Sequence, residues 1–196
     1  MNGLDLSRGG AELPVSVWQG DCEYPIRSGH RAILRTLRML ADPEIGDADK
    51  PLQLRRMFFV GAAAPDAEQC FQDFVRCGKP DPSPGGERDF DYDEDAAEIY
   101  SAFRQLYRID LLETELHWWV FSALLDGIFC TDNALSNKLR IRHADDGEGK
   151  RKAAMERQKM AVKLPERISR SDAAIEKEVL YRLEHGLPLD DLLTRR

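Results

Sequence analysis

Apolar residues lie on both sides of one predicted helix near the middle of the chain. Residues 109–129 open with Asp110 and Glu113, which form the D-x-x-E pattern of a helix N-terminus. Helical spacing then gives two opposite apolar stripes: Leu116, Trp119, Val120, Ala123 and Leu124 in the first, and Trp118, Phe121, Leu125 and Ile128 in the second. A helix with two apolar faces is buried, or it keeps one face for a partner. The pattern therefore predicts a central buried helix over about 111–129.

Weaker amphipathic patterns around this helix predict a mainly α-helical bundle. Alternating apolar and polar residues over about 14–27 predict a small N-terminal β-hairpin. Spacing and capping residues predict further helices at about 28–41, 49–59, 66–77, 92–107, 131–144, 151–164 and 171–185. The expected N-terminal caps are Ser28, Asp49, Asp66, Thr131 or Asp132, and Ser171. Three arginines of the first helix, Arg31, Arg35 and Arg38, are expected outside, and Leu52 of the second is expected to face inward.

Charge and composition divide the chain into two parts. The 196 residues carry a net charge of −7, yet residues 138–170 contain eleven Lys and Arg against five Asp and Glu. We therefore predict a helical domain over 1–144, with the hairpin and a Pro/Gly linker at 78–86, and a basic, helical C-terminal extension over 145–196. Lys and Arg on a helix attract phosphates, but the basic segment 138–170 has no aromatic residue for base stacking. A solvated helix face is the simpler interpretation, and docking on the acidic part of the same chain or of a partner is another.

No motif in the chain indicates catalysis, a metal site or a cofactor. The acidic run at 89–95 begins like a calcium loop, but Glu94 stands where glycine is needed and Tyr100 where a bidentate glutamate is needed. These acids suit the positive end of a helix dipole better. His117 is not part of an H-E-x-x-H pattern. A histidine that is hydrogen-bonded within the fold or half-exposed is therefore favoured over a metal ligand or a general base. We expect no enzymatic activity, no metal and no cofactor.

The second apolar stripe of the central helix is a candidate partner-binding surface. Core packing explains Trp119, but for Trp118, Phe121 and Leu125 a groove for a partner helix competes with core packing. Tyr100 and Phe103, from the preceding predicted helix, complete this candidate set.

Residues 90–128 resemble the central motif of the bacteriophage gene-product-fifteen family. The motif combines an acidic run, I-Y-x-A-F-x-x-x-Y-x-I-D-L and L-H-W-W-x-F-x-x-L-L. The matching residues are Asp95, Ile99, Tyr100, Ala102, Phe103, Tyr107, Ile109, Asp110, Leu111, Leu116, His117, Trp118, Trp119, Phe121, Leu124 and Leu125. The resemblance covers about 12–144, and the basic segment and the last helix fit it less well. Arg108 departs from the pattern, which has a small residue such as glycine there.

The resemblance implies a phage tail-morphogenesis protein, since genes of this family lie in tail modules near the tape-measure gene. The function we expect is a non-enzymatic tail-assembly chaperone that binds the tape-measure protein in the cytoplasm of the bacterial host. Two alternatives stay open: a structural tail or connector subunit of the virion, and a nucleic-acid-binding regulator that uses 138–170. The expected partner is the tape-measure or another tail protein, with a homo-oligomer as a further option. Neither a membrane nor a nucleic acid is expected as a partner.

Overall fold

The computed structural model describes residues 13–79, 90–145 and 150–185. These residues form a mainly α-helical protein with one two-stranded antiparallel sheet, as predicted. The strands are β1 (Ser16–Gln19) and β2 (Cys22–Pro25). The α-helices are α1 (His30–Ala41), α2 (Lys50–Phe58), α3 (Ala67–Val75), α4 (Ala96–Ala102), α5 (Trp118–Phe129), α6 (Ala134–Arg142), α7 (Lys150–Val162) and α8 (Arg170–Glu184). None of the helices in the described ranges is long and apolar enough to cross a membrane.

The N-terminal hairpin rests on the end of α2. Val17 pairs with Tyr24 across the two strands and is completely buried. Ile26 forms an isolated bridge with Phe59, and the Arg27 N–H donates to the Phe58 carbonyl at 2.8 Å. A hairpin alone is marginal in water, so these contacts with the helical core stabilise it.

Helix α5 is the centre of the core. Its residues Trp118, Phe121, Leu125 and Ile128 are buried, and Trp119 is buried on the neighbouring face. The ring of Phe121 stacks on Phe103 at a centroid distance of 5.2 Å and on His30 at 5.2 Å. The predicted central helix is therefore confirmed.

The start of α5 differs from the prediction of about 111. The helix begins at Trp118, because the preceding backbone pairs with the start of α1: the Trp118 N–H donates to the Ser28 carbonyl at 2.7 Å, and the His30 N–H donates to the Leu116 carbonyl at 2.8 Å. Asp110 instead closes a turn, accepting from the Leu112 N–H at 3.0 Å. Long-range pairing thus outweighs the local D-x-x-E signal.

The predicted helix at 92–107 is divided into two parts. Helix α4 covers its middle, and a π-helical turn (Phe103–Tyr107) follows. The turn ends at Arg108, which adopts the left-handed conformation with φ 59°. The Tyr107 hydroxyl donates to the Leu124 carbonyl at 2.9 Å, and a Cβ atom at Gly127 would come within 2.6 Å of that hydroxyl. Glycine at 127 therefore lets the π-helical turn pack closely on α5.

Three predicted caps are wrong by one or two residues, and helix α1 follows Gly29 rather than being capped by Ser28. Asp49 and Asp66 are the N-cap residues of α2 and α3, as predicted, but their side chains make no cap hydrogen bond. Asn133, not Thr131 or Asp132, caps α6 in a capping box with Ser136, and Ser169, not Ser171, caps α8. Leu52 is exposed rather than inward. Most of the predicted 78–86 linker (80–86), and the chain after 185, lie outside the described residues.

Ion pairs attach the basic segment to the acidic start of α4. Asp95 is completely buried and accepts from the Arg142 guanidinium at 2.7 and 2.8 Å, while Lys138 lies 2.8 Å away. Arg167 pairs with buried Asp91 in the same way. These contacts agree with docking of the basic segment on the acidic part of the same chain. The division at residue 144 stays a prediction.

Candidate protein-interaction site

Four of the five predicted partner-binding residues lie in the core. Trp118, Phe121, Leu125 and Phe103 are at most 4% exposed, so a partner cannot reach them in this conformation. Only Tyr100 is half-buried and accessible. The physical reason is that α1, α3 and the π-helical turn cover the second apolar stripe of α5. In the first stripe Trp119 is buried, as predicted, but the other four residues are less buried than those of the second stripe.

Trp118 and Trp119 have a structural role that their aromatic character did not reveal. The indole N–H of Trp118 donates to the Val75 carbonyl at 2.9 Å, and that of Trp119 donates to the Phe74 carbonyl at 2.9 Å. Carbonyl groups in the last turn of a helix have no partner within that helix. The two tryptophans therefore cap the C-terminal end of α3.

The histidines near α5 are also used in structural hydrogen bonds. His117 is the N-cap of α5: its Nδ1 accepts from the Trp119 N–H at 3.1 Å, and its Nε2–H donates to the Pro14 carbonyl at 2.9 Å. His30 Nδ1 accepts from the Leu116 N–H at 3.1 Å. Burial lowers the pKa of His30 and of His117, because the protonated ring loses its hydration. Both side chains are thus held in the neutral form.

The acidic run forms a network of ion pairs around Asp91 and Asp95. Burial alone would raise the pKa of Asp95, but hydrogen bonds from Arg142 and Lys138 outweigh burial and leave that pKa below its usual value. Within the described ranges, no three His, Cys, Asp or Glu side chains converge as metal ligands would. The cations nearest to these two acids are therefore arginine and lysine side chains of the chain itself.

An apolar groove with arginines along one side lies between α1, α4 and the turn that precedes α5. We call it the arginine-rimmed groove. Its volume is about 340 Å³. The apolar lining is formed mainly by Leu34, Ile99, Tyr100, Leu111, Leu112 and the edge of Phe121, and the rim is formed by Arg31, Arg35 and Arg38. Leu112 is 76% exposed, which leaves a large apolar side chain at the mouth of the groove.

The three rim arginines differ in what they contact. Arg31 donates to the Leu111 and Leu112 carbonyls at 3.0 and 2.8 Å and so holds the groove wall in place. Arg38 makes a bidentate contact with Asp93. Arg35 is exposed and has no ion-pair partner among the residues that the structure describes. An apolar surface beside a free guanidinium suits a ligand that carries both apolar groups and a carboxylate.

A second groove, of about 440 Å³, lies on the other side of α1, against α2 and α3. Its cations are engaged within the chain, since Lys50 pairs with Asp47 at 2.8 Å and Arg76 with Asp73 at 3.7 Å. The arginine-rimmed groove is therefore the stronger candidate for binding a charged partner segment.

Several residues of this site are recognisable in the sequence, but their position around one groove is not. The i, i+4 and i+7 spacing of Arg31, Arg35 and Arg38 on one helix face is visible in the sequence, and so is Tyr100. Leu111 and Leu112 were assigned to a helix that starts later in the structure, so their position at the groove mouth had no local signal.

Comparison with known proteins places the chain in a family. The family model described as Bacteriophage Gp15 protein matches residues 11–164, which include the whole groove. The match extends beyond the expected range of about 12–144 and runs through α7 to residue 164, whereas α8 lies outside it. No curated protein and no solved structure matches the chain. The chain belongs to the bacteriophage Gp15 protein family and is a phage structural or morphogenesis protein.

Proposed function

We propose that this protein is a non-enzymatic tail-assembly chaperone that binds the tape-measure protein in the cytoplasm of the bacterial host. The observation that carries the proposal is the arginine-rimmed groove, an open apolar surface beside the exposed guanidinium of Arg35, which has no ion-pair partner in residues 13–79, 90–145 and 150–185. Membership in a phage structural family implies interaction with other virion proteins, which is consistent with a protein-binding groove.

The chemistry of the groove suits an amphipathic helix. A tape-measure protein is a long, partly apolar helix before the tail tube encloses it, and it needs a cover that binds many similar helical surfaces. A groove lined by Leu34, Ile99 and Tyr100 would receive apolar side chains at i, i+3 and i+4. Arg35 would bind a carboxylate beside that stripe. The net charge of −7 keeps such a complex soluble.

The histidine contacts support a function without catalysis. His30 and His117 accept backbone N–H groups through Nδ1, so these imidazoles are committed to holding α1 and α5 together. A general base needs a free lone pair within reach of a substrate. Neither Nδ1 atom offers one in this arrangement.

Co-expression tests the proposal. We expect the tape-measure protein of the same phage to be insoluble alone, and to be soluble and co-purified when this chain is present. A tape-measure protein that stays insoluble, with no co-purification, contradicts the proposal.

A structural tail subunit is the second candidate, favoured by α8. Ile175, Leu180 and Leu183 of this helix are exposed apolar residues, as expected for a surface that is covered in an assembled particle. Mass spectrometry of purified virions separates the candidates, because a chaperone is absent from the finished particle and a subunit is present in many copies.

The nucleic-acid-binding alternative has less support. Lys138, Arg142 and Arg167 neutralise buried carboxylates of the same chain and are not available to phosphates. A binding titration at low salt tests it, since phosphate binding must appear there and weaken as salt is added.

A further inference from the structure

Helix α8 carries an exposed face that combines apolar side chains with carboxylates. At 100° per residue, Ile175, Val179, Leu180 and Leu183 occupy one side of the helix, and Asp172 and Glu176 lie on that same side. Ile175, Leu180 and Leu183 are 42–59% exposed. Asp172 and Glu176 are exposed and have no ion-pair partner among the described residues. This face lacks a partner within the described part of the chain.

The arginine-rimmed groove is complementary to this face. Its apolar lining matches the Ile, Val and Leu side chains, and its free cation, Arg35, matches the free carboxylate of Glu176. Arg31 is already paired with Glu115 at 3.2 Å, so Arg35 is the rim cation that Glu176 can meet. The apolar residues of α8 fill the groove beside this pair.

Within one molecule, contacts at its N-terminal end hold α8 away from the arginine-rimmed groove. Its N-cap Ser169 accepts from the Asp172 N–H at 3.0 Å, the adjacent Arg167 pairs with buried Asp91, and the Arg170 N–H donates to Glu44, after the end of α1. No residue of α8 lines the groove. A helix that swung into its own groove would lose these contacts, whereas the helix of another molecule would not.

We propose that the arginine-rimmed groove of one copy binds α8 of a second copy, with Glu176 of α8 paired to Arg35 of the groove. The contact joins two different surfaces, so it is either exchanged reciprocally in a two-fold dimer or propagated through larger rings or open chains. The proposal shares with the proposed function the idea that the groove binds an amphipathic helix, but it does not depend on which phage protein is the partner. A tape-measure helix in the groove and α8 of a second copy exclude one another.

Sedimentation velocity of the purified full-length chain, over a range of concentrations, tests this contact. We expect reversible self-association of the wild-type protein. Arg35→Glu and Glu176→Arg each place like charges opposite one another and weaken association about tenfold or more. Lys177→Glu, on the other side of α8, and Arg140→Glu, on α6, are matched controls that leave association unchanged. Leu183→Ser removes an apolar contact without a change of charge and also weakens association.

Mixing the two charge variants identifies the occupant. In an equimolar mixture of Arg35→Glu and Glu176→Arg chains, opposite charges meet at every contact between unlike chains. A dimer, an even-numbered ring or an alternating open chain therefore forms, although each variant alone associates weakly. Restored association supports binding of a second copy. A mixture that stays dissociated, a wild-type chain that is monomeric at all concentrations, or variants that associate like the wild type overturns the proposal. Because only this chain is present, failure here leaves the co-expression test of the tape-measure proposal unaffected.

Discussion

Trp118 and Trp119 are neighbours on α5, and their indole N–H groups donate to the neighbouring carbonyls of Val75 and Phe74, each at 2.9 Å. The two tryptophans point in different directions around their own helix, yet both reach the last turn of α3. This pair of hydrogen bonds fixes the position of α3, from the first part of the chain, against the central helix.

Replacing either tryptophan of this pair by phenylalanine is expected to destabilise the protein. Trp118→Phe leaves the Val75 carbonyl with the Cys77 thiol at 3.4 Å as its remaining donor, so it should cost about 1–3 kcal/mol in the free energy of unfolding. Trp119→Phe should cost less, about 0.5–1.5 kcal/mol, because the Phe74 carbonyl keeps the Cys77 N–H at 3.1 Å. Trp18→Phe is the matched control, because Trp18 is 63% exposed on the hairpin, and its effect should stay within about 0.5 kcal/mol. Guanidinium unfolding measures all three. Equal stability of Trp118→Phe and Trp18→Phe would show that the indole bond to Val75 does not contribute.

Arg142 and Arg140, near the end of α6, should differ in how much they contribute to the free energy of unfolding. Arg142→Ala removes two charge-assisted hydrogen bonds from the completely buried Asp95 and leaves Lys138 as its remaining cation, so we expect a cost of about 1.5–3 kcal/mol. Arg140→Ala removes only an exposed contact with Asp132 at 3.5 Å, which is worth about 0–1 kcal/mol. Thermal and chemical unfolding at neutral pH measure the difference. If the two variants are equally stable, the buried ion pair does not hold the basic segment in place.

Stability is expected to fall between pH 7 and pH 5. Burial lowers the pKa of His30 and of His117 below the ordinary value of 6.5, although Glu115 opposes the shift at His30. The unfolded chain therefore binds protons at these residues first. The two neutral histidines contribute fully to the free energy of unfolding above about pH 6.5. This contribution is lost as the pH falls through their lowered folded-state pKa values.

Chemical unfolding at pH 7 and at pH 5 checks this dependence. His117→Asn retains a side-chain oxygen that can cap α5 but cannot titrate, so it should reduce the loss of stability at pH 5. A free energy of unfolding that is constant or rises from pH 7 to pH 5 is incompatible with neutral, buried histidines.

At Arg108 we expect the backbone conformation alone to affect the free energy of unfolding. Its φ of 59° is left-handed, a conformation that costs a non-glycine residue about 1–2 kcal/mol. Glycine removes this cost, but it makes the unfolded chain more flexible, which lowers the free energy of unfolding by about 0.4–1 kcal/mol. Arg108→Gly should therefore be more stable than Arg108→Ala by about 0.5–1 kcal/mol. The alanine variant controls for loss of the side chain, and a more stable alanine variant would contradict the conformation described.

The parts of the fold that depend on local patterns were predictable from the sequence. The hairpin, the helical bundle and the burial of the central helix follow from the spacing of apolar residues along each segment. The start of α5 was not predictable in this way, because Trp118 pairs with Ser28, far away in the sequence. For the same reason, nothing near Asp110 indicates that its D-x-x-E pattern closes a turn instead of a helix.

The candidate site was predictable only in pieces. The sequence shows that α5 has two apolar faces, but which face is covered depends on α1, α3 and the π-helical turn. For Trp118 and Phe121 the sequence therefore leaves core packing and partner binding open, and the structure places both residues in the core. The groove combines Arg35 with Leu112, which lie on different elements, so their proximity is a property of the folded chain.

The central claim is that the arginine-rimmed groove binds the tape-measure helix. The most direct measurement is a titration of soluble tape-measure fragments with wild-type protein, with Leu112→Glu at the groove mouth, and with Leu52→Glu, an exposed leucine of α2 outside the groove. We predict that the wild type and Leu52→Glu bind with equal affinity and that Leu112→Glu binds about tenfold more weakly or worse. No binding by the wild type, or equal binding by Leu112→Glu, would contradict the account.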